Sequence, residues 1–171
     1  MSSPISYSLD GAIALITVDN PPVNALSQPV RDGLSKAIVR FEGDSKAKAA
    51  VIVGAGRTFF AGADIKEFGK PLVKPGLPGV VNQIEACSKP VVAALHGTAL
   101  GGGFEVALGC HYRVAVASAK VGLPEVNLGI LPGAGGTQRA PRLAGVEAAA
   151  GLITSGRHVG AREALELGLV D

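Results

Sequence analysis

Apolar and polar positions alternate over Ile5–Leu9 and again over Ala12–Val18, and Asp10-Gly11 separates the two runs. A period of two predicts strands with one buried face, and Asp-Gly between such runs predicts a hairpin. Asp19-Asn20-Pro21-Pro22 ends the second strand, because proline brings no amide to a ladder. The period then lengthens. Val30, Leu34, Ala37, Ile38 and Phe41 recur at helical spacing, with Arg31, Lys36 and Arg40 between them. Ser27 suits the N-cap of this helix, Pro29 its first turn and Gly43 its end.

Three short continuous apolar runs, Ala50–Val53, Val91–Leu95 and Tyr112–Val116, read as buried strands. Gly54–Asp64 reads as a loop, followed by a short helix through Ile65 and Phe68. Lys70–Gly79 carries Pro71, Pro75 and Pro78 and reads as a surface loop rather than a linker between domains. Further helices are expected over Val80–Cys87, through Glu105 and Ala107 after Gly101-Gly102-Gly103, and over Gly133–Leu143, Val146–Ile153 and Ala161–Leu167. Leu169-Val170-Asp171 reads as the start of another strand. Strands alternating with helices predict an α/β domain. No internal repeat of constant period is visible.

Length and charge narrow the class. The 171 residues fit one domain, and the net charge of +2 is too small to point to nucleic acid or an anionic membrane. No apolar run is long enough to span a bilayer. Met1-Ser2-Ser3-Pro4 has neither the charge nor the apolar stretch of a secretory signal. Cys87 and Cys110 make no disulfide framework, and His96, His111 and His158 lack metal-site spacing. Glycine occurs 24 times, about twice its ordinary share of ~7%. A chain so rich in small residues lets backbones approach closely and leaves room for a ligand.

Several familiar motifs fail. Gly54-Ala55-Gly56 follows a strand, but Phe59 stands where the third glycine of a dinucleotide fingerprint belongs. Gly135-Gly136-Thr137 lacks the lysine of a phosphate loop, and no nucleophile elbow occurs. Three segments remain: Phe60–Ile65, His96–Glu105, and Leu123-Pro124-Glu125 with Gly129–Arg139. Glycine turns ahead of helices aim free amides at an anion, and two such turns can form an oxyanion hole. Glu105 and Glu125 are isolated acids in apolar surroundings, a setting that suits a general acid/base pair near neutral pH. The structural alternatives stand beside this. Glu105 fits a charge complementing a helix dipole, Glu125 a loop anchor, Asp64 an N-cap, and Gly133–Gly136 a tight turn.

In this order the three segments resemble the enoyl-CoA hydratase/isomerase (crotonase) superfamily. Pro21–Leu26 and Lys89–Ala94 are also similar to it. Gly109–Arg113 and Gly122–Gly133 resemble one branch, the N-terminal hydratase/isomerase part of bifunctional β-oxidation enzymes that also carry a 3-hydroxyacyl-CoA dehydrogenase. The resemblance implies an α/β fold of ββα units wound into a spiral, the ClpP/crotonase class. It places a crotonase-like core over residues 1–171, with the family's C-terminal helical segment absent.

The resemblance further implies a coenzyme A thioester substrate and no metal or redox cofactor. The amides of Ala63 and Gly102 fall at the oxyanion-hole positions, and Glu105 and Glu125 at the two catalytic acid positions. Hydration of a trans-2-enoyl-CoA would use Glu105 to deprotonate water and Glu125 to protonate the α-carbon. Δ3-to-Δ2 isomerisation would need Glu125 alone, and the presence of both acids favours hydration. The alternatives are a CoA-thioester isomerase or another enolate-type reaction, or a non-catalytic truncated module that binds acyl-CoA or assembles with partners. Ala61, Asp64, Ile65, Lys66, Gly101, Pro124 and Gly133 are the expected substrate- and CoA-binding positions. The expected partners are further copies of the chain or covalently linked dehydrogenase domains. The expected compartment is the cytoplasm in a bacterium, or the peroxisome or mitochondrion in a eukaryote.

Overall fold

A computed structural model describes residues 3–171; Met1 and Ser2, half of the segment read for a secretory signal, lie outside the described residues. The hairpin forms as β1 (Ile5–Asp10) and β2 (Ile13–Val18), paired antiparallel. Its register closes on Asp10 opposite Ile13, so the turn residues are Gly11-Ala12, one position later than expected. Helix α1 (Gln28–Gly43) follows with Ser27 at its N-cap and a proline in its first turn. The Ser27 side chain makes no capping bond.

β2 pairs parallel with β3 (Ala49–Gly54), β3 with β4 (Val91–Leu95), and β4 with β6 (Tyr112–Ala115). The five-stranded order is therefore β1-β2-β3-β4-β6. Ile16, Ile52, Ala93 and Arg113 lie side by side on the buried face. The core sits between this face and α1, α2 (Leu77–Glu85) and α3 (Gly102–Gly109). Leu15, Val51, Val92 and Tyr112 lie in the adjacent row, on the opposite face. That face is only half covered, so the runs read as buried on both sides are buried on one. β6 departs furthest, with Tyr112 54% and Val114 48% exposed, because it ends the sheet.

A second, three-stranded sheet holds β5 (Thr98–Leu100), β7 (Lys120–Gly122) and β8 (His158–Gly160). It completes the ββα pattern. β4 runs into β5 and α3, and β6 into β7. After β2 and β3 the second strand shrinks to single bridging residues, Leu26 against Ala63 and Phe60 against Ala99, before α1 and α2. The repeat escapes a search for constant period because its main strands begin unevenly, at Ile13, Ala49, Val91 and Tyr112.

Three helices beyond the sheets, α4 (Gly136–Ala144), α5 (Val146–Ser155) and α6 (Ala161–Glu166), match the remaining apolar periods. α4 begins three residues late, because Gly133–Gly135 forms a turn. α2 begins three residues early, at Leu77, because Pro78 opens its first turn instead of ending a loop. The helix expected through Ile65 and Phe68 is one 3-10 turn, Ile65–Glu67. Leu169–Asp171 forms no strand. The Asp171 side chain accepts the Arg113 amide (2.8 Å), the group a ladder would have used.

Candidate active site

The site begins where β5 turns into α3. Gly101 occupies the N-cap with φ +51°, a left-handed conformation that favours glycine. At Gly103 a Cβ would run into the Phe60 carbonyl oxygen. The glycine run therefore lets the head of α3 press against the loop that follows β3. This close approach brings two amides together: a Cβ at Gly102 would lie 3.5 Å from the Ala63 nitrogen. No turn or side-chain hydrogen bond uses either amide. Gly102 heads the helix, where the first amides have no acceptor within it.

Glu105 stands in the first turn of α3 and is 2% exposed. It does complement the helix dipole, as the plainer reading had it, but it also reaches across the fold. Its Oε1 accepts the amides of Ala134 (2.7 Å) and Gly136 (2.8 Å) in the turn before α4. Burial raises its pKa, while those two amides and the Arg139 charge pull it down.

Glu125 lies on a 3-10 turn, Pro124–Leu128, that leaves β7. It is 8% exposed, and its Oε2 is buried without any partner. Gly101 makes room for it, since a Cβ there would sit 3.1 Å from Glu125 Oε1. Burial pushes the carboxyl up to about 7, a backbone hydrogen bond opposes this, and the Glu105 charge adds to the rise. Near neutral pH Glu125 is therefore part protonated.

Glu105, Glu125, Ala63 and Gly102 all line one cavity of about 500 Å³. Ala61, Asp64, Ile65, Gly101, Pro124 and Gly133 also line it. Lys66 does not; it is exposed outside the lining. Asp64 doubles as the N-cap of the 3-10 turn, accepting the Lys66 amide at 3.0 Å. Apolar side chains from Phe68, Leu72, Leu77, Leu128 and Leu131 add to the wall. Among the described residues, no three or more His, Cys, Asp or Glu side chains gather as a metal site.

The sequence pattern sets Arg31 among the polar positions between the apolar ones of α1 and does not single out Glu67; the structure buries Arg31 with the apolar positions. Arg31 is 4% exposed on α1 and donates to the carbonyls of Leu26 (2.8 Å), Pro75 (2.8 Å) and Val73 (3.1 Å). It also pairs with Glu67 (2.7 Å), whose other oxygen accepts the Gln28 amide at the head of α1. This clamp holds the loop from Asp64 to Gly76 that walls the cavity. The signal was present: Arg31 stands three, seven and ten residues before Leu34, Ile38 and Phe41, on the apolar stripe itself.

Two unused amides held close together at the cavity wall suit a carbonyl oxygen that gains negative charge. A part-protonated carboxyl and an amide-anchored one beside them suit proton transfer to and from adjacent carbons. Comparison with known proteins bears on this chemistry. The family model "Enoyl-CoA hydratase/isomerase" matches residues 8–171. The chain is 60% identical to a peroxisomal bifunctional enzyme of Danio rerio over 160 residues, 94% of this chain and 22% of that protein. It is 46% identical to a probable enoyl-CoA hydratase of Bacillus subtilis over 173 residues, 97% of this chain and 67% of that protein. The crystal structure of an enoyl-CoA hydratase from Bacillus anthracis superposes with a TM-score of 0.91 at 36% identity, covering 98% of this chain and 68% of that one. The chain thus spans under a quarter of the bifunctional relative and about two thirds of the two Bacillus proteins. With that match over nearly its whole length, and with the spiral of ββα units in place, the chain belongs to the enoyl-CoA hydratase/isomerase family.

Proposed function

We propose that this site adds water across the double bond of a trans-2-enoyl-CoA thioester, the hydration step of fatty acid β-oxidation. The observation that carries the reading is the gathering of four groups from three places in the fold, the loop after β3, the head of α3 and the 3-10 turn after β7, at one cavity. These are the unused amides of Ala63 and Gly102 and the carboxyls of Glu105 and Glu125.

In this reading the two amides hold the thioester oxygen as it becomes enolate-like. Glu105, fixed through Oε1, takes a proton from water as the water oxygen bonds the β-carbon. Glu125 gives its proton to the α-carbon. The sum is water divided between two carbons, with no net change of oxidation state; Glu105 then releases the proton it took and Glu125 regains one, through solvent. Ala61, Asp64, Ile65, Gly101, Pro124 and Gly133 would contact the thioester and its CoA, with the exposed Lys66 placed to meet CoA only outside the cavity wall. The names of the relatives place them in peroxisomes and in a bacterium, and we assign this chain to one of those settings. Further copies, or a linked dehydrogenase part, would complete the assembly.

The purified chain is expected to consume crotonyl-CoA, read as loss of the enoyl-thioester absorbance. Retained CoA-thioester binding with no turnover would replace this reading with a binding module. A second activity, Δ3-to-Δ2 isomerisation, is favoured by Glu125, whose unpartnered Oε2 can carry a proton between two carbons. Glu105→Gln is expected to abolish hydration and leave some double-bond migration. Equal loss of both, with the fold intact, would count against the division of roles.

A further inference from the structure

The turn that anchors Glu105 is itself held from behind. Arg139 of α4 is 8% exposed, and its Nη1 donates to the Ala134 carbonyl at 3.0 Å. That carbonyl belongs to the peptide unit lying between the two units whose amides grip Glu105 Oε1. The rest of the guanidinium is locked onto α2. Nε and Nη2 meet Glu85 Oε1 (3.0 Å) and Oε2 (2.6 Å) as a two-pronged pair, and Nη2 also donates to Asn82 Oδ1 (2.8 Å). Gly135, with φ +99°, leaves open the space this needs, because a Cβ there would overlap Nη1.

The pattern joins three helices through one planar cation. α2 supplies the anchor, α4 the cation and α3 the carboxylate, and the turn Gly133–Gly135, with Gly136 at the head of α4, is caught between them. Glycine-rich turns have many conformations to lose, and two amides reach one oxygen only if the turn is held in one of them. A lysine has a point charge and no fork, so it cannot reproduce the three-way grip.

We propose that Arg139, braced by Glu85 and Asn82, is a positioning residue that fixes the Ala134 and Gly136 amides on Glu105 and so aims this carboxylate at the water it activates. The proposal rests on the hydratase reading for its kinetic consequence but not for its structural one. Arg139 is the positive charge facing Glu105, and Glu125 is the negative one. Glu85 stands behind Arg139, with Arg142 and His111 near Glu85. Removing Arg139 takes away a charge and loosens two hydrogen bonds, and both changes raise the Glu105 pKa.

The test uses Arg139→Gln, Arg139→Lys and Glu85→Gln. It reads crotonyl-CoA hydration, thermal melting, and the 13C titration of the Glu105 carboxyl in glutamate-labelled protein. Both Arg139 variants are expected to lose about a hundred-fold in kcat, the cost of a misplaced reacting group, with little change in KM. The Glu105 titration is expected to move to higher pH in Arg139→Gln, and the acid limb of kcat/KM with it. Glu85→Gln removes a half-exposed carboxyl and is expected to fold normally while lowering kcat less. Wild-type kcat and an unmoved Glu105 titration in the Arg139 variants would overturn the proposal. If those variants do not fold, the same result in Glu85→Gln would overturn it. If the unaltered chain itself shows no turnover, the hydratase reading fails, and the Glu105 titration alone decides the positioning role.

Discussion

Glu125 carries its burial as a measurable quantity. Its carboxyl titrates near 7 in the folded chain against an ordinary 4.5, so the folded state holds an extra proton between those values. The stability this gives is complete below pH 4.5 and is lost as pH rises through about 7. The loss is on the order of 3 kcal/mol. Glu125→Gln imitates the protonated form. It is expected to match the unaltered chain in urea unfolding at pH 4 and to exceed it by that amount at pH 8. Its hydration rate should fall by about 10²–10⁴-fold, the usual worth of a general acid. In the unaltered chain kcat/KM should decline above pH 7 as the donor ionises. Gly102 offers the complementary test. A methyl there is crowded by the tip of the Leu77 side chain, at 2.6 Å, and lies 3.5 Å from the Ala63 nitrogen. Gly102→Ala is expected to melt near the unaltered temperature and to lose roughly 10²–10³-fold in kcat, as when one oxyanion donor is obstructed.

Helix α1 shows how an element is bent to the needs of a site. Its apolar stripe was legible from Val30, Leu34, Ala37, Ile38 and Phe41, and the structure buries every one of them. The same face also buries Arg31, because the loop from Asp64 to Gly76 presents the Val73 and Pro75 carbonyls and Glu67 to its guanidinium, and Leu26 adds a third carbonyl. Spacing showed where Arg31 lay; nothing local showed what it would meet some forty residues later. Removing it strands those carbonyls and half-buries an unpaired carboxylate. Arg31→Met is expected to destabilise the chain by about 2–3 kcal/mol and to open the Asp64–Gly76 loop to limited proteolysis. KM for the thioester should rise more than kcat falls, since the loop walls the cavity. The start of α2 was misread for a similar reason. Proline favours a loop and also the first turn of a helix, and only the packing of Val80, Val81 and Ile84 on α1 and α3 selects the second.

At the scale of the molecule, the main sheet has one face fully packed and one half open. The open face carries Leu15, Val51, Val92 and, at the edge strand, the exposed Tyr112 and Val114. Apolar surface on an edge strand invites association. Sedimentation is expected to find species heavier than a single chain, with a share that grows with concentration. Val114→Lys should shift the distribution toward the single chain, since a charge on that strand opposes pairing. An unshifted distribution would place the contact elsewhere.

The sequence by itself determined the main strands of the large sheet, the helical stripes, the hairpin and the identity of the two acids. These follow from periods of two and 3.6 and from residue types that stand out against apolar neighbours, all of which are local properties. Tertiary structure decided what those residues do. It brought the Ala63 and Gly102 amides together across some forty residues of chain, left Glu125 Oε2 without a partner, and placed the anchors of Glu105 about thirty residues away. It also formed β8 and turned Leu169–Asp171 into a side-chain clasp on Arg113. A pKa depends on everything within a few ångströms, and a hydrogen bond needs both partners in place. Neither is written in the neighbours along the chain, so both waited on the fold.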